Sequence, residues 1–250
     1  MSFVVVIPAR FASTRLPGKP LLDIAGKPMI QHVWERAKES GASEVIVATD
    51  DARIAAVVRD FGGDVAITRV DHPSGTDRLQ EVAQQRGWLD AQAVVNVQGD
   101  EPLIPPVAIN QVAELLLAHQ GADIATLCEA FAYEQEFRDA NTVKVVCNEK
   151  WEALYFSRAL IASPRDGGFA AVPAYRHIGI YAYRAGFLNR YVSWPPCALE
   201  QAEKLEQLRA LHKGCVIQVA PACAVIPAGV DTEQDLAQAR CWLEKKSGFL

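Results

Sequence analysis

The chain lacks several signatures that would settle its chemistry at once. Its six cysteines (Cys128, Cys147, Cys197, Cys215, Cys223 and Cys241) form no C-x-x-C pair. That removes the commonest zinc and dithiol patterns and leaves reduced, structural thiols as the expectation. There is no G-x-G-x-x-G, and Gly18-Lys19 is followed by Pro20 instead of Ser or Thr. Neither the dinucleotide fingerprint nor a Walker A loop is therefore present. No apolar run approaches the roughly 20 residues that cross a bilayer. The N-terminus has neither a charged leader nor a small-residue cleavage site, so a cytoplasmic chain with no membrane partner is expected. Positive charge is also short: 25 Lys and Arg stand against 30 Asp and Glu, a net charge of −5. A general nucleic-acid binder would be basic, so no nucleic-acid partner is expected. Internal repeats, low-complexity tracts and clean linkers are missing too.

What is present is length and apolar content. The 250 residues, 50% of them hydrophobic, suffice for one large α/β domain. Strand-like and helix-like stretches alternate through the first half. Phe3–Ile7, Val45–Ala48, Val65–Thr68 and Ala93–Val97 read as buried strands. Between them, Ile30, Val33, Trp34 and Ala37, then Ile54, Val57, Val58 and Phe61, then Leu79, Val82 and Ala83, repeat at helical spacing. Such alternation predicts βαβ units and a mostly parallel sheet. After a helix from Pro105-Pro106 to about Gln120 the simple alternation ends. Strands are predicted at Asp123–Leu127, Thr142–Cys147, Arg176–Arg184 and Val216–Ala220. Helices are predicted at Gly186–Trp194, Leu199–His212 and Glu233–Lys245, the last capped by Thr232. The division expected is one domain, 1–250, with an excursion over roughly 130–215.

The stretch Phe3–Lys19 reverses the charge of the chain. Residues 10–27 carry four cations (Arg10, Arg15, Lys19, Lys27) and one anion (Asp23). A basic loop directly after a buried strand reads either as a solvated surface or as an anion site at the carboxyl end of a sheet. Arg10, Arg15 and Lys19 suit a triphosphate, because Arg offers a planar fork and Lys a compact charge. Asp100 follows Gly99 at the end of a strand, and Asp231 lies between a strand and a helix. Each can be a turn or helix-start residue. Together they can share a magnesium ion, which takes one or two protein carboxylates beside phosphates. Ser74-Gly75-Thr76-Asp77-Arg78 can present backbone N–H groups to a nucleotide, or can be a helix start capped by Thr76. Arg165, His177, Tyr181, Glu206 and Gln207 are a polar set suited to a hydroxylated acid, with Arg165 pairing a carboxylate. His177 and Tyr181, four apart, share a face of one strand.

The segments IPARFASTRLPGKPL, GKPMIQHV, VIVATDD, HPSGTDR, VNVQGDEP, ALYFSRA, RHIGIYAYR, LEQLR and GVDT together resemble the CMP-Kdo synthetase (3-deoxy-manno-octulosonate cytidylyltransferase) family over almost the whole chain. The first alone would mark only the broader cytidylyltransferase group. The resemblance implies an α/β fold of the nucleotide-diphospho-sugar transferase type, Rossmann-like, with a mixed sheet flanked by helices and an excursion used for dimerisation. It implies an enzyme that joins CTP to Kdo, giving CMP-Kdo and pyrophosphate for lipopolysaccharide synthesis, with Mg2+ as cofactor and a homodimer as its state. By resemblance Arg10, Ser13 and Lys19 would contact the triphosphate. Ala9, Gly75, Thr76 and Arg78 would line the cytidine side. Arg15, Gln98, Arg165, His177, Tyr181, Glu206 and Gln207 would surround the sugar acid, and Asp100 and Asp231 would hold the metal. The competing readings are the same reaction on a sialic acid or an amino-Kdo, and a catalytically silent nucleotide-binding protein on the same fold.

Overall fold

Apolar runs too short for anything but buried strands build the centre of the molecule. In the computed structural model, residues 2–12, 16–163, 165 and 172–247 are described, without the side chains of 245–247. β1 (Phe3–Ala9) ends in a loop, a 3-10 turn (Lys19–Leu21) and a small hairpin of β2 (Asp23–Ile24) and β3 (Lys27–Pro28). Then come α1 (Met29–Lys38), β4 (Glu44–Thr49), α2 (Ala52–Asp60), β5 (Asp64–Ile67), α3 (Gly75–Arg86), β6 (Ala93–Asn96) and α4 (Pro106–Ala118). The second half adds β7 (Ile124–Glu129), α5 (Glu134–Arg138), β8 (Lys144–Cys147), β9 (Ala153–Ser157) and β10 (Tyr175–Arg184). It closes with α6 (Ala185–Tyr191), α7 (Ala198–Glu203), α8 (Gln207–His212), β11 (Ile217–Pro221) and α9 (Glu233–Ser247).

The main sheet runs β11-β7-β10-β6-β1-β4-β5. β6, β1, β4 and β5 are parallel, as the alternation predicts. β10 is antiparallel to both β6 and β7, which makes the sheet mixed. The stretch 130–215 is thus not set apart from the sheet: it supplies the central strand β10, from whose end the antiparallel β8–β9 pair extends.

Side chains alternate across the strands and fill two cores. Val5, Ile7 and Val95 meet Ile30, Ile54 and Ile109 on one face. Val4, Val6 and Val94 meet Leu79, Phe187 and Leu208 on the other. A third, smaller cluster joins Leu16, Ile24 and Met29 to Val230, Leu236 and Ala239. Full burial of each large aliphatic side chain contributes about 1.5–3 kcal/mol, so this cluster fastens α9 onto the loop that follows β1.

Two expectations are corrected, and several short elements are added. The single helix expected over Leu199–His212 is two, α7 and α8, because Lys204 turns left-handed (φ 55°) between them. The turn is held from outside: Glu203 accepts from Ser157 Oγ at 2.6 Å and from the Arg158 N–H at 2.9 Å. α3 is capped by Ser74, which accepts from the Asp77 N–H, and Thr76 is left free for another partner. The β2–β3 hairpin, α5 and β9 had no expected counterpart; they are too short to show a period. Of the loop expected at Ser163–Ala174, residues 164 and 166–171 lie outside the described residues.

Candidate functional site

Two cavities adjoin at the carboxyl end of β1 and β6 and share Gly75 and Gln98. The first is a cleft of about 380 Å³ whose wall includes Ala9, Arg10, Lys19, Asp100 and Asp231. Glycine builds it at two points. Gly18, at φ 68°, starts the 3-10 turn that carries Lys19. At Gly99 a Cβ would stand 2.7 Å from the Pro8 carbonyl oxygen, so only glycine lets the chain cross the end of β1 here. The Val230 N–H donates to the Asp100 carbonyl at 2.8 Å. This bond, with the small cluster under α9, brings residue 231 to residue 100. Thr232 and Asp235 cap α9 between them, so the Asp231 side chain is not the cap and faces the cleft.

Lys19 Nζ donates to Asp100 Oδ2 at 2.6 Å and to Asp231 Oδ1 at 3.1 Å. Burial works against its charge, but the two carboxylates outweigh burial and hold its pKa above the ordinary value. Two carboxylates that converge on one cation, both partly exposed (30% and 46%), are a donor pair of the kind magnesium takes together with phosphate oxygens and water. Among the described residues no group of three or more His, Cys, Asp and Glu could hold a metal. The pair would therefore need ligands from outside the chain. Next to it, Glu101 has a sealed Oε2 without a hydrogen-bond partner, and burial, then the Asp100 charge, pushes its carboxyl up to about 8.

Beneath the cleft lies a buried cationic floor. Arg78 is wholly buried, 3.1 Å from Asp50 Oδ1 and bonded to Thr68. Burial pulls its pKa down, with Asp50 opposing and Arg10 adding to the fall. A buried guanidinium nitrogen of Arg10 has no hydrogen-bond partner. Arg78 thus lies near enough to Arg10 to feel its charge and does not line the cleft.

The second cavity, about 270 Å³, is smaller and aromatic. Tyr181 and Tyr183 stack at 5.7 Å, and Tyr183 stacks on Phe187 at 5.8 Å. Asn96, Gln98, Glu206 and Gln207 are its polar lining. Thr76 Oγ1 donates to Glu206 Oε2 at 3.0 Å, which ties α3 to the left-handed turn before α8. Burial of the Glu206 head raises its pKa and the Thr76 bond opposes the rise. His177 lies behind Tyr181, ring to ring at 5.3 Å, with its Nε2 3.0 Å from Thr126 Oγ1. Burial lowers its pKa to about 3, so the imidazole is neutral at working pH.

The structure therefore gathers Ala9, Arg10, Lys19, Gly75, Gln98, Asp100 and Asp231 at the cleft, and Thr76, Tyr181, Glu206 and Gln207 at the cavity. His177 supports the cavity without lining it. Arg165 is exposed and is not among the described residues of either wall. Ser13 and Arg15 lie outside the described residues. Asn96, Tyr183, Phe187 and Lys204 line the cavity and were not foreseen. Strand alternation could have found two of them, since Asn96 shares a face with Gln98 and Tyr183 with Tyr181.

Comparisons with known proteins bear on the family and the fold. The cytidylyltransferase family profile matches residues 4–218. A 3-deoxy-manno-octulosonate cytidylyltransferase of Cellvibrio japonicus is 57% identical over 253 residues, covering 98% of this chain and 99% of its own. One from Pseudomonas fluorescens is 57% identical over 251 residues, covering 97% and 98%. The solved structure of CMP:2-keto-3-deoxy-manno-octonic acid synthetase complexed with CTP superposes with a TM-score of 0.92 at 45% identity, covering 98% of this chain and 100% of that one.

Proposed function

The chain belongs to the cytidylyltransferase family, and from that premise we infer that it transfers CMP from CTP to 3-deoxy-D-manno-octulosonate (Kdo), giving CMP-Kdo and pyrophosphate. The observation that carries the reading is the pair of adjoining cavities. A charged cleft suits a triphosphate, and an aromatic, amide-lined cavity suits a polyhydroxylated acid. The two meet at Gly75 and Gln98.

The chemistry follows from that placement. The anomeric hydroxyl oxygen of the sugar bonds to the α-phosphorus of CTP as the bond to the pyrophosphate oxygen breaks, and the hydroxyl proton is lost to solvent. Such a displacement asks the protein for alignment and charge compensation. Arg10 and Lys19 offset charge on the departing pyrophosphate. Gln98, on the shared wall, borders both substrates. Thr76 and Glu206, hydrogen-bonded to each other, form part of the sugar cavity wall. Asp100 and Asp231 would hold Mg2+, which when bound supplies charge neutralisation for the phosphates and a more acidic hydroxyl. No protein nucleophile is needed.

The same reading extends to a homodimer using the 130–215 stretch, to a cytoplasmic location and to a product feeding lipopolysaccharide assembly. Each rests on the sequence resemblance, and the location also on the finding that no described helix is long and apolar enough to cross a membrane. The test is pyrophosphate release from CTP, Kdo and Mg2+, beside UTP, sialic acid and EDTA controls. Release confined to the full set supports the reading. Release with another acid sugar would change the substrate. CTP binding without release for any sugar would overturn the enzymatic reading.

A further inference from the structure

We propose that Asn96 is a specificity-determining residue of the sugar cavity, its side-chain amide accepting a hydrogen bond from one hydroxyl of the acid sugar. The proposal rests on the reading that this cavity takes Kdo, and adds a residue to it.

Asn96 closes β6, directly across the ladder from Tyr181 and beside Val6 of β1. Its neighbours on the strand, Val95 and Val97, point into the opposite core, so Asn96 faces the cavity as Gln98 does. The residue is only 3% exposed. A polar amide on a central strand, in a position otherwise filled by valine, is costly unless its polar atoms are engaged. The Asn96 side chain, like that of Thr76, hydrogen-bonds the Tyr183 hydroxyl at the cavity wall, which engages one end of the amide. Yet Asn96 Oδ1 is sealed from solvent and has no hydrogen-bond partner. A buried acceptor without a partner, on a residue that lines a substrate cavity, is a demand for a donor. The sugar acid carries a row of hydroxyl donors and has to be told from acids with other patterns.

The location argues for a hydroxyl and against the reacting end. Gln98, two residues further along, stands on the wall shared with the phosphate cleft, whereas Asn96 lines only the cavity. The hydroxyl that Asn96 meets is therefore one of those away from the anomeric carbon. A site built to hydrogen-bond a substrate hydroxyl rejects the analogue that lacks it far more strongly than an apolar pocket rejects a lost methylene.

The test is a cycle between Asn96 variants and a panel of singly deoxygenated Kdo analogues, read as kcat/KM for the sugar at saturating CTP and Mg2+. In the wild-type chain, one analogue deoxygenated away from the anomeric carbon is expected to lose about ten- to a hundredfold. Asn96→Ala and the similar-sized Asn96→Leu are expected to lose a comparable factor with Kdo, through the KM for sugar, while CTP affinity stays within about twofold. On that one analogue the variants are expected to match the wild type. Asn96→Asp keeps an acceptor and is expected to keep the discrimination. If every analogue costs the wild type less than about twofold, the proposal fails even where no variant folds. A loss in the variants that is equal for Kdo and all analogues also overturns it, since that marks a structural role. If the wild type releases no pyrophosphate with Kdo but does with another acid sugar, the functional reading has failed instead, and the two failures are distinct.

Discussion

The cleft and the cavity are built in opposite ways. At the cleft, the chemistry comes from loops: Lys19 after β1, Asp100 after β6 and Asp231 before α9. Their heads are polar, partly exposed and already paired. At the cavity, the chemistry comes from strand residues and one strained turn. Most of its lining residues are buried, with Lys204 and Glu206 exposed at the turn, its rings are stacked and one amide oxygen has no partner. Loop carboxylates and a lysine can rearrange when a triphosphate arrives, as exposed ion pairs contribute little to stability and exchange partners easily. Side chains packed in a sheet and a stack of rings cannot do so without disturbing the core. On the proposed assignment of the two sites, the nucleotide end selects by charge and the sugar end by shape and fixed hydrogen bonds.

The comparison can be broken at four points. The largest effect is expected from Asp100→Asn. Turnover should fall at least about a hundredfold, with thermal stability within about 1 kcal/mol because the pair it breaks is partly exposed. Near-normal turnover at limiting magnesium would remove Asp100 from the metal. Lys19→Met should lower turnover about ten- to a hundredfold and leave the sugar KM alone; unchanged kinetics would deny Lys19 its part at the phosphates.

Glu203→Ala sharpens the contrast, because Glu203 lines neither the cleft nor the cavity. It frees Ser157 and Arg158 and loosens the turn that presents Glu206 and Gln207. The sugar KM should rise about tenfold with CTP affinity unchanged, as small displacements of positioning groups carry large penalties. Equal weakening of both substrates would show that the two sites are not separable.

The smallest effect is in pH-dependent stability. His177 is held neutral, with its pKa lowered to about 3 by burial. In the unfolded chain it takes a proton below about pH 6.5. The unfolded state therefore binds more protons between those values, and stability falls as the pH drops through that window. At pH 5 the contribution amounts to a loss of about 2 kcal/mol relative to pH 8, at 1.36 kcal/mol for each pKa unit. Subtracting the profile of His177→Gln removes what the carboxylates add. Identical slopes for the two chains between pH 8 and 5 would contradict the burial of a neutral imidazole.

How much of this was legible beforehand differs between the two regions. Lys19, Asp100 and Asp231 could be picked out because each follows or precedes a readable element and because charge reverses locally around Lys19. The cavity was legible only in part. Glu206 and Gln207 were read as part of the polar set for a hydroxylated acid but were placed on one continuous helix, since a run such as LEQAEKLEQLRALH gives no hint of a left-handed residue at Lys204. That turn exists because Glu203 finds partners on β9, a strand too short to announce itself. Thr76 was weighed as a cap, and Ser74 took that role because its side chain reaches the Asp77 N–H.

The sequence by itself determined the parallel half of the sheet, through buried strands whose apolar runs admit no other use, and the place of the basic loop at a strand end. It also determined which carboxylates stand at the ends of strands. Only the tertiary structure decided that Asp231 meets Asp100, because that depends on a backbone bond from Val230 and a small apolar cluster 200 residues of chain apart from its other half in order of magnitude, roughly the span across which no local pattern carries information. It decided as well that Asn96 faces a cavity without a partner. Alternation tells which side of a strand a residue takes, but whether a partner waits there is fixed by the packing of other elements.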